Sequence, residues 1–174
     1  RVNILQPGCG VGGHCIAEDP WFIVSDYPEQ AQLIKRARET NDYKADWCAN
    51  KVLETCQKFV EQNEREPVVA CMGLAFKPNI DDLRESPAKY IASRIISESR
   101  ADVLIIEPNI STHKSFDLTA YREAYEKADI IVGLVRHDVF LALPREEGKI
   151  ELDFCGVRRY KCSLIAKRLY RLYK

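Results

Sequence analysis

The sequence predicts an α/β protein, an open, doubly wound parallel sheet preceded by a helical region. Three observations carry this. From residue 67 onward, short apolar runs alternate with stretches of helical period, the pattern of strand–helix–strand units. The run Val68-Val69-Ala70-Cys71-Met72 is apolar throughout and ends at Gly73, which suits a parallel strand buried on both faces. Between residues 28 and 66, apolar side chains instead recur at three- and four-residue steps, the period of an amphipathic helix.

Taken in order, residues 1–27 (RVNILQPGCGVGGHCIAEDPWFIVSDY) show no clear helical period. They read as a functional loop rather than a linker, because Trp21-Phe22-Ile23-Val24 suggests burial, and Pro20 should stop any helix early. Residues 29–39 predict one helix. Asn41-Asp42 predicts a break and an N-cap for a second, on which Ala45, Cys48, Ala49, Val52, Leu53, Cys56, Phe59 and Val60 form one stripe. A two-helix arm cannot bury that stripe by itself, so it must pack on a neighbouring domain or another subunit. After the charged break at 62–67 comes the strand 68–72. Ser86-Pro87 places a hydroxyl cap before a proline at the first helical position, with a helix through about residue 98. A strand at 102–106, a helix at 119–127, a strand at 129–135, a short helix after His137 and a strand at 150–154 complete a Rossmann-like doubly wound parallel sheet.

Composition narrows the function classes. The 174 residues are 46% hydrophobic, with 26 basic and 26 acidic side chains. This fits one globular domain with an attached helical element and argues against a nucleic-acid protein held by a global basic field. No apolar run approaches the length of a membrane span, and Arg1-Val2-Asn3 leads straight into a Gly-rich stretch rather than a secretory signal. Seven basic residues and no acids follow from position 158, leaving 19 bases against 26 acids before it. The seven cysteines contain no Cys-x-x-Cys pair, so free thiols in a reducing cytoplasm are expected.

Two segments carry candidate chemistry. Gly8, Gly10 and Gly13 match Gly-x-Gly-x-x-Gly in spacing, but no strand precedes them and Pro20 follows, so the dinucleotide context is lacking. The glycines instead suit backbone approach to a ligand while presenting Cys15. Cys15 reads equally as a thiolate nucleophile favoured by exposed amides or as a buried structural cysteine. Asp19, four residues on, would lie one helical turn away to hold a proton or orient a water. The second segment, 73–87, joins the end of the first strand to a helix N-terminus, where doubly wound sheets bind ligands. Lys77, Arg84 and the helix dipole there suit an anion such as phosphate, while Asp81, Asp82 and Glu85 would also fit a solvated charged loop.

QPGCGVGGHCIAEDPWFIV followed by GLAFKPNIDDLRESPA closely resembles the UDP-glucose/GDP-mannose dehydrogenase family over about residues 1–159. The His-Cys-Ile-Ala-Glu-Asp-Pro-Trp-Phe form is most similar to the bacterial branch acting on UDP-N-acetyl-D-mannosamine. The resemblance implies an NAD-dependent, two-step oxidation of the C6 alcohol of a UDP-hexose to the uronic acid, feeding surface polysaccharide synthesis. The intermediate would be held on a cysteine as thiohemiacetal and then thioester. Position by position, it implies Cys15 and Asp19 as catalytic residues, Arg1, Gly12, Phe76, Lys77 and Arg159 as substrate contacts, and Arg84 as a contact to NAD. Cys9 stands where the family has proline and Arg158 where it has tryptophan. The family's N-terminal NAD-binding domain and, in its central region, the catalytic Lys and Asn on a helix before the cysteine loop have no counterpart here.

The implied organisation is a catalytic cysteine loop at 1–27, a central helical dimerisation region at 28–66, a UDP-sugar-binding domain at 67–157 and a basic tail at 158–174. A cytoplasmic homodimer with no nucleic-acid partner, no transmembrane segment and no metal is expected. The competing reading is a non-catalytic nucleotide-sugar-binding or dimerisation module. Residues 160–174 are expected to form a helix docked on the acidic body or a frayed end or, alternatively, an anchor to anionic lipid.

Overall fold

The computed structural model describes residues 6–144 and 146–158. Arg1, Arg159 and the expected tail helix lie outside the described residues. Two helices come first, α1 (Cys15–Asp26) and α2 (Gln32–Asn63), followed by β1 (Val68–Met72), α3 (Pro87–Glu98), β2 (Asp102–Ile106), α4 (Tyr121–Lys127), β3 (Ile130–Gly133), a 3-10 turn (Asp138–Ala142) and β4 (Ile150–Asp153). All strand pairs are parallel, in the order β2-β1-β3-β4. The chain therefore leaves β1 toward one edge and returns to its other side at β3. That reversal opens a crevice beyond the carboxyl ends of β1 and β3.

Alternation along the strands builds three layers, because successive side chains point to opposite faces. Val69, Cys71, Ile105, Ile130 and Val132 pack with Ala88, Ile91, Ala92 and Ile95 of α3 and with Cys48, Val52 and Phe59 of α2. Ala70, Met72, Ile106 and Ile131 pack on the opposite face with Ala124, Tyr125 and Phe140. The expected cap is present, with Ser86 Oγ accepting the Lys89 amide at 3.4 Å and Pro87 opening α3.

The helical arm corrects several expectations. No break occurs at Asn41-Asp42, and α2 runs 32 residues without interruption, roughly 48 Å at 1.5 Å per residue. Asn41 spends its side chain elsewhere: its Oδ1 accepts the Val11 amide at 2.6 Å and its Nδ2 donates to the Val11 carbonyl at 3.2 Å. The stripe from Ala45 to Phe59 needs no second subunit, because Ala45, Cys48, Ala49, Val52, Cys56 and Phe59 are buried within this chain. Here α2 packs beside α3 on the same face of the sheet, with Trp47 edge-on to Phe154 beyond β4. Pro20 lies inside α1 rather than ending it; proline in a helix interior forfeits one backbone hydrogen bond, and the flanking turns persist. The anticipated burial of the aromatic run fails too, since Trp21, Phe22 and Ile23 are 36%, 66% and 47% exposed. Helix 119–127 begins two residues late, and strand 129–135 is trimmed to four residues.

A buried carboxylate holds the strand ends together. Glu107, just past β2, accepts the amides of Leu74 and Ala75 on Oε2 at 2.8 and 2.9 Å. His137, beyond β3, meets the same oxygen through Nε2 at 3.1 Å. Asn109 donates its amide and side chain to Oε1 at 3.1 and 3.0 Å. Asn79 donates its amide to His137 Nδ1 at 3.0 Å, which leaves the ring proton on Nε2. Burial acts to raise the Glu107 pKa, but the bonds from His137, Leu74 and Ala75 outweigh it and bring the group from 4.5 down to about 2.

A group with a lowered folded-state pKa contributes stability that is complete above its unfolded pKa and is lost as pH falls through the folded one. The Glu107 contribution should therefore be full above pH 4.5 and fade toward pH 2. Glu107→Gln should cost about 3 kcal/mol at neutral pH, because charged hydrogen bonds are lost and buried amides are left short of an acceptor. Urea unfolding at a series of pH values should show the gap between variant and wild type closing below pH 4.5. A gap independent of pH would refute it.

Candidate functional site

The crevice is a cavity of about 450 Å³. Its floor is Ala75, Phe76, Lys77 and Pro78 after β1, and Leu134, Val135 and Arg136 after β3. One side is the N-terminus of α3 at Pro87 and Ala88, and the roof is the Gly-rich segment from Gln6 to Gly12.

That segment is glycine-rich for two reasons. At Gly12 a Cβ would lie 2.1 Å from the Glu85 carbonyl oxygen and 2.7 Å from Pro87 Cδ, so its backbone rests directly on the loop entering α3. Gly13 combines φ +93° with a Cβ position 2.9 Å from the Phe76 ring. At both positions protein packs on protein; Gly12 also lines the cavity, with Gly8 and Gly10. Cys9 turns inward, 3% exposed, and its Sγ donates to the Leu134 carbonyl at 3.5 Å. Its bond with Cys48 and its burial push the Cys9 thiol well up.

Cys15 occupies the first turn of α1 and is exposed. The cysteine is thus on a helix rather than in the loop, with backbone amides and the positive end of the dipole at its side. The Cys15 thiol interacts electrostatically with Arg84, and its neighbour Ile16 lines the cavity. Asp19 lies one turn further along α1, exposed. His14 points along the same helix, 3.8 Å from Glu18. The other described thiols differ from Cys15. Cys48, Cys56 and Cys71 are buried as expected, and Cys155 is half-buried. Burial pushes Cys56 to about 11 and both Cys71 and Cys155 to about 12.

Lys77 is exposed at the cavity mouth. Arg84 projects outward with its side chain 66% exposed and gripped by Asp82, whose carboxylate accepts from Arg84 Nε at 3.0 Å and Nη2 at 2.6 Å. The Arg84 guanidinium in turn holds Asp82 at about 2. Of the residues expected to act, Gly12, Phe76 and Lys77 line one cavity, Cys15 and Asp19 share the adjoining helix, and Arg84 faces outward beside Cys15. Arg158, standing in place of a tryptophan, does structural work: it donates to the Leu143 carbonyl at 2.6 Å and to the Tyr125 hydroxyl at 3.0 Å, and pairs with Glu151 at 3.1 Å. Sequence reasoning missed Arg136, Cys155 and the pinning of Val11 by Asn41. The crevice rule for doubly wound sheets, applied in the sequence to residues 73–87, extends equally to the segment after β3, but no motif there marks Arg136.

Among the described residues no helix is long and apolar enough to cross a membrane, and no group of three or more His, Cys, Asp or Glu side chains is placed to hold a metal ion.

Comparison with known proteins places these parts. Residues 70–155 match the UDP binding domain of the UDP-glucose/GDP-mannose dehydrogenase family, and residues 1–43 match its central domain. The chain is 45% identical over 162 residues to UDP-N-acetyl-D-mannosamine dehydrogenase of Campylobacter jejuni, covering 89% of this chain and 38% of that protein. It is also 45% identical over 163 residues to NDP-N-acetyl-D-galactosaminuronic acid dehydrogenase of Ralstonia solanacearum, covering 90% and 37%. The structure of UDP-D-ManNAc dehydrogenase from Pyrococcus horikoshii superposes with a TM-score of 0.73 at 29% identity, covering 95% of this chain and 40% of that one. The chain thus spans less than two fifths of the length of these curated relatives.

The exposure of Cys15 and the raised pKa values of Cys9, Cys56, Cys71 and Cys155 together predict selective modification. With Cys162 replaced by serine, iodoacetamide under native conditions should modify Cys15 at least about tenfold faster than any other cysteine, since only an accessible thiol supplies thiolate. Peptide mapping across a time course measures this. Equal rates at Cys15 and Cys155 would contradict it.

Proposed function

Because the chain belongs to the UDP-glucose/GDP-mannose dehydrogenase family, we propose that it is the substrate half of a cytoplasmic, NAD-dependent UDP-sugar 6-dehydrogenase. The hexose is UDP-N-acetyl-D-mannosamine or a close N-acetylated relative, and the uronic acid product feeds surface polysaccharide synthesis. The observation that carries the reading is the juxtaposition of an exposed Cys15 on α1 with the cavity lined by Gly12, Phe76 and Lys77.

In this reading the nucleotide occupies the crevice, and the sugar reaches the first turn of α1. There the Cys15 thiolate adds to the C6 aldehyde carbon, and the carbonyl oxygen takes up a proton to give the thiohemiacetal. After the second oxidation the same carbon is the acyl group of a thioester. Asp19, one turn away, accepts a proton from the attacking water; the carbon–sulfur bond breaks, releasing the carboxylate and restoring the thiol. NAD, when bound, supplies the hydride acceptor for each oxidation. The fit of this chain to NAD is limited. The two glycines with the closest backbone approach face protein atoms rather than a ligand, and Arg84 is the residue placed to reach a dinucleotide held elsewhere. The dinucleotide site belongs to the NAD-binding domain that the family carries ahead of these parts.

Homodimerisation is part of the proposal, on a different surface from the stripe of α2. The exposed apolar side chains Phe22, Ile23, Tyr27, Leu33, Tyr43 and Trp47 lie on α1, the turn after it and the first half of α2. Patches of this kind mark association surfaces.

In the complete dehydrogenase, Cys15→Ala should lower acid formation by roughly 10⁴-fold, the scale of losing a covalent nucleophile, while UDP affinity stays unchanged. Steady-state kinetics beside calorimetric UDP titration would measure both, and normal turnover would remove Cys15 from the mechanism. Sedimentation of this chain at micromolar concentration should show a dimer that Phe22→Asp with Leu33→Asp converts to a folded monomer. A wild-type monomer would refute dimerisation through this face.

A further inference from the structure

Arg136 is the cavity cation whose guanidinium Nε is buried with no hydrogen-bond acceptor among the described residues. It follows β3 between two buried neighbours, Val135 at 6% and His137 at 1% exposure. The Val135 amide donates to the Met72 carbonyl at 3.0 Å, and His137 is locked to Glu107. The backbone on both sides of Arg136 is therefore fixed, and the side chain emerges into the cavity wall. Its Nε is buried and has no hydrogen-bond partner among the described residues. No Asp or Glu stands among the residues that line the cavity, whereas Lys77 and Arg136 do.

A desolvated guanidinium donor without an acceptor is unfavourable. In native proteins such a group generally has a partner, protein or otherwise. The missing partner is an acceptor, and a permanently charged, planar guanidinium in a cavity whose described lining holds no carboxylate favours an anionic one. Two cations lining one cavity, with the amino end of the 12-residue α3 as a third positive element, suit an anion with charge at more than one point. A diphosphate has that form, and the fork of Arg136 can take two of its oxygens at once.

We propose that Arg136 binds the diphosphate of the nucleotide sugar, together with Lys77 of the same cavity lining. This rests on the reading of the cavity as a nucleotide-sugar site and adds a residue and a role to it. Calorimetric titration of the 174-residue chain with UDP and with uridine, for wild type and Arg136→Gln, tests it. Wild type should bind UDP more tightly than uridine. R136Q should lose about 10- to 100-fold in UDP affinity, the scale of a charged hydrogen bond, with uridine affinity unchanged. Thermal unfolding should be unaffected, since among the described residues Arg136 Nε has no hydrogen-bond partner to lose. Should R136Q fail to fold, R136K, which keeps the charge without the fork, should bind UDP about threefold to tenfold more weakly. Wild-type UDP affinity in the variant would overturn the role of Arg136 while leaving the nucleotide reading intact. An equal loss for uridine and UDP would overturn the diphosphate assignment. A wild-type chain that does not prefer UDP to uridine would overturn the nucleotide reading and Arg136 with it.

Discussion

The buried carboxylate of Glu107 is the constraint on which the site depends. A four-stranded parallel sheet reversing direction between β1 and β3 leaves loose strand ends at its carboxyl edge, where backbone amides have no ladder partner. One side chain gathers the amides after β1, the imidazole after β3 and the asparagine that follows β2. The loop through Phe76 and Lys77 is thereby held open over the crevice, and its far end is tied by Asn79 to the same imidazole. Buried ionised groups are costly unless fully hydrogen-bonded. Here both oxygens are saturated, so the charge persists inside the fold and the loop geometry persists with it.

The helical arm is bound to that frame at two places, and each connection shapes the cavity. The inner half of α2 completes the hydrophobic core on one face of the sheet. Its Asn41 grips both polar atoms of the Val11 backbone, so the glycine-rich roof stands at a fixed height above the crevice. Gly12 closes the remaining gap by lying against the Glu85 carbonyl with no room for a side chain. The roof, the floor and the entry to α3 are therefore one packed unit. Cys15 begins α1 where that roof ends, which sets the thiol beside the cavity mouth rather than within it.

The charges divide according to where they stand. Arg84 is saturated by Asp82 and faces outward, and Arg158 is built into the wall behind Tyr125. Arg65 and Asp129 join the end of α2 to the start of β3 through two short bonds of 2.8 and 2.6 Å. Lys77 and Arg136 alone face the acid-free cavity. Net charge near zero thus hides a local positive field, and that field is what a phosphate-bearing ligand would meet.

Much of this was legible in the residues themselves. Strands 68–72 and 102–106 and the cap at Ser86 were readable to the residue, because continuous apolar runs and a hydroxyl before proline are local signals. The family resemblance rested on two ordered motifs, and both border one cavity in the folded chain. What the sequence could not convey depended on distant partners. Asn41 resembled a helix break until its side chain found Val11, thirty residues away. Pro20 resembled a helix stop, yet the loss of one hydrogen bond was tolerated within α1. The stripe on α2 announced that it would be covered but not by what, since periodicity specifies a face and not its neighbour. Arg136 carried no motif at all. Only the tertiary structure, by fixing the backbone on either side and leaving Nε without an acceptor, singled it out. Local chemistry determined the elements and the nucleophile candidate; the packing of one element on another decided which polar groups remained for a ligand.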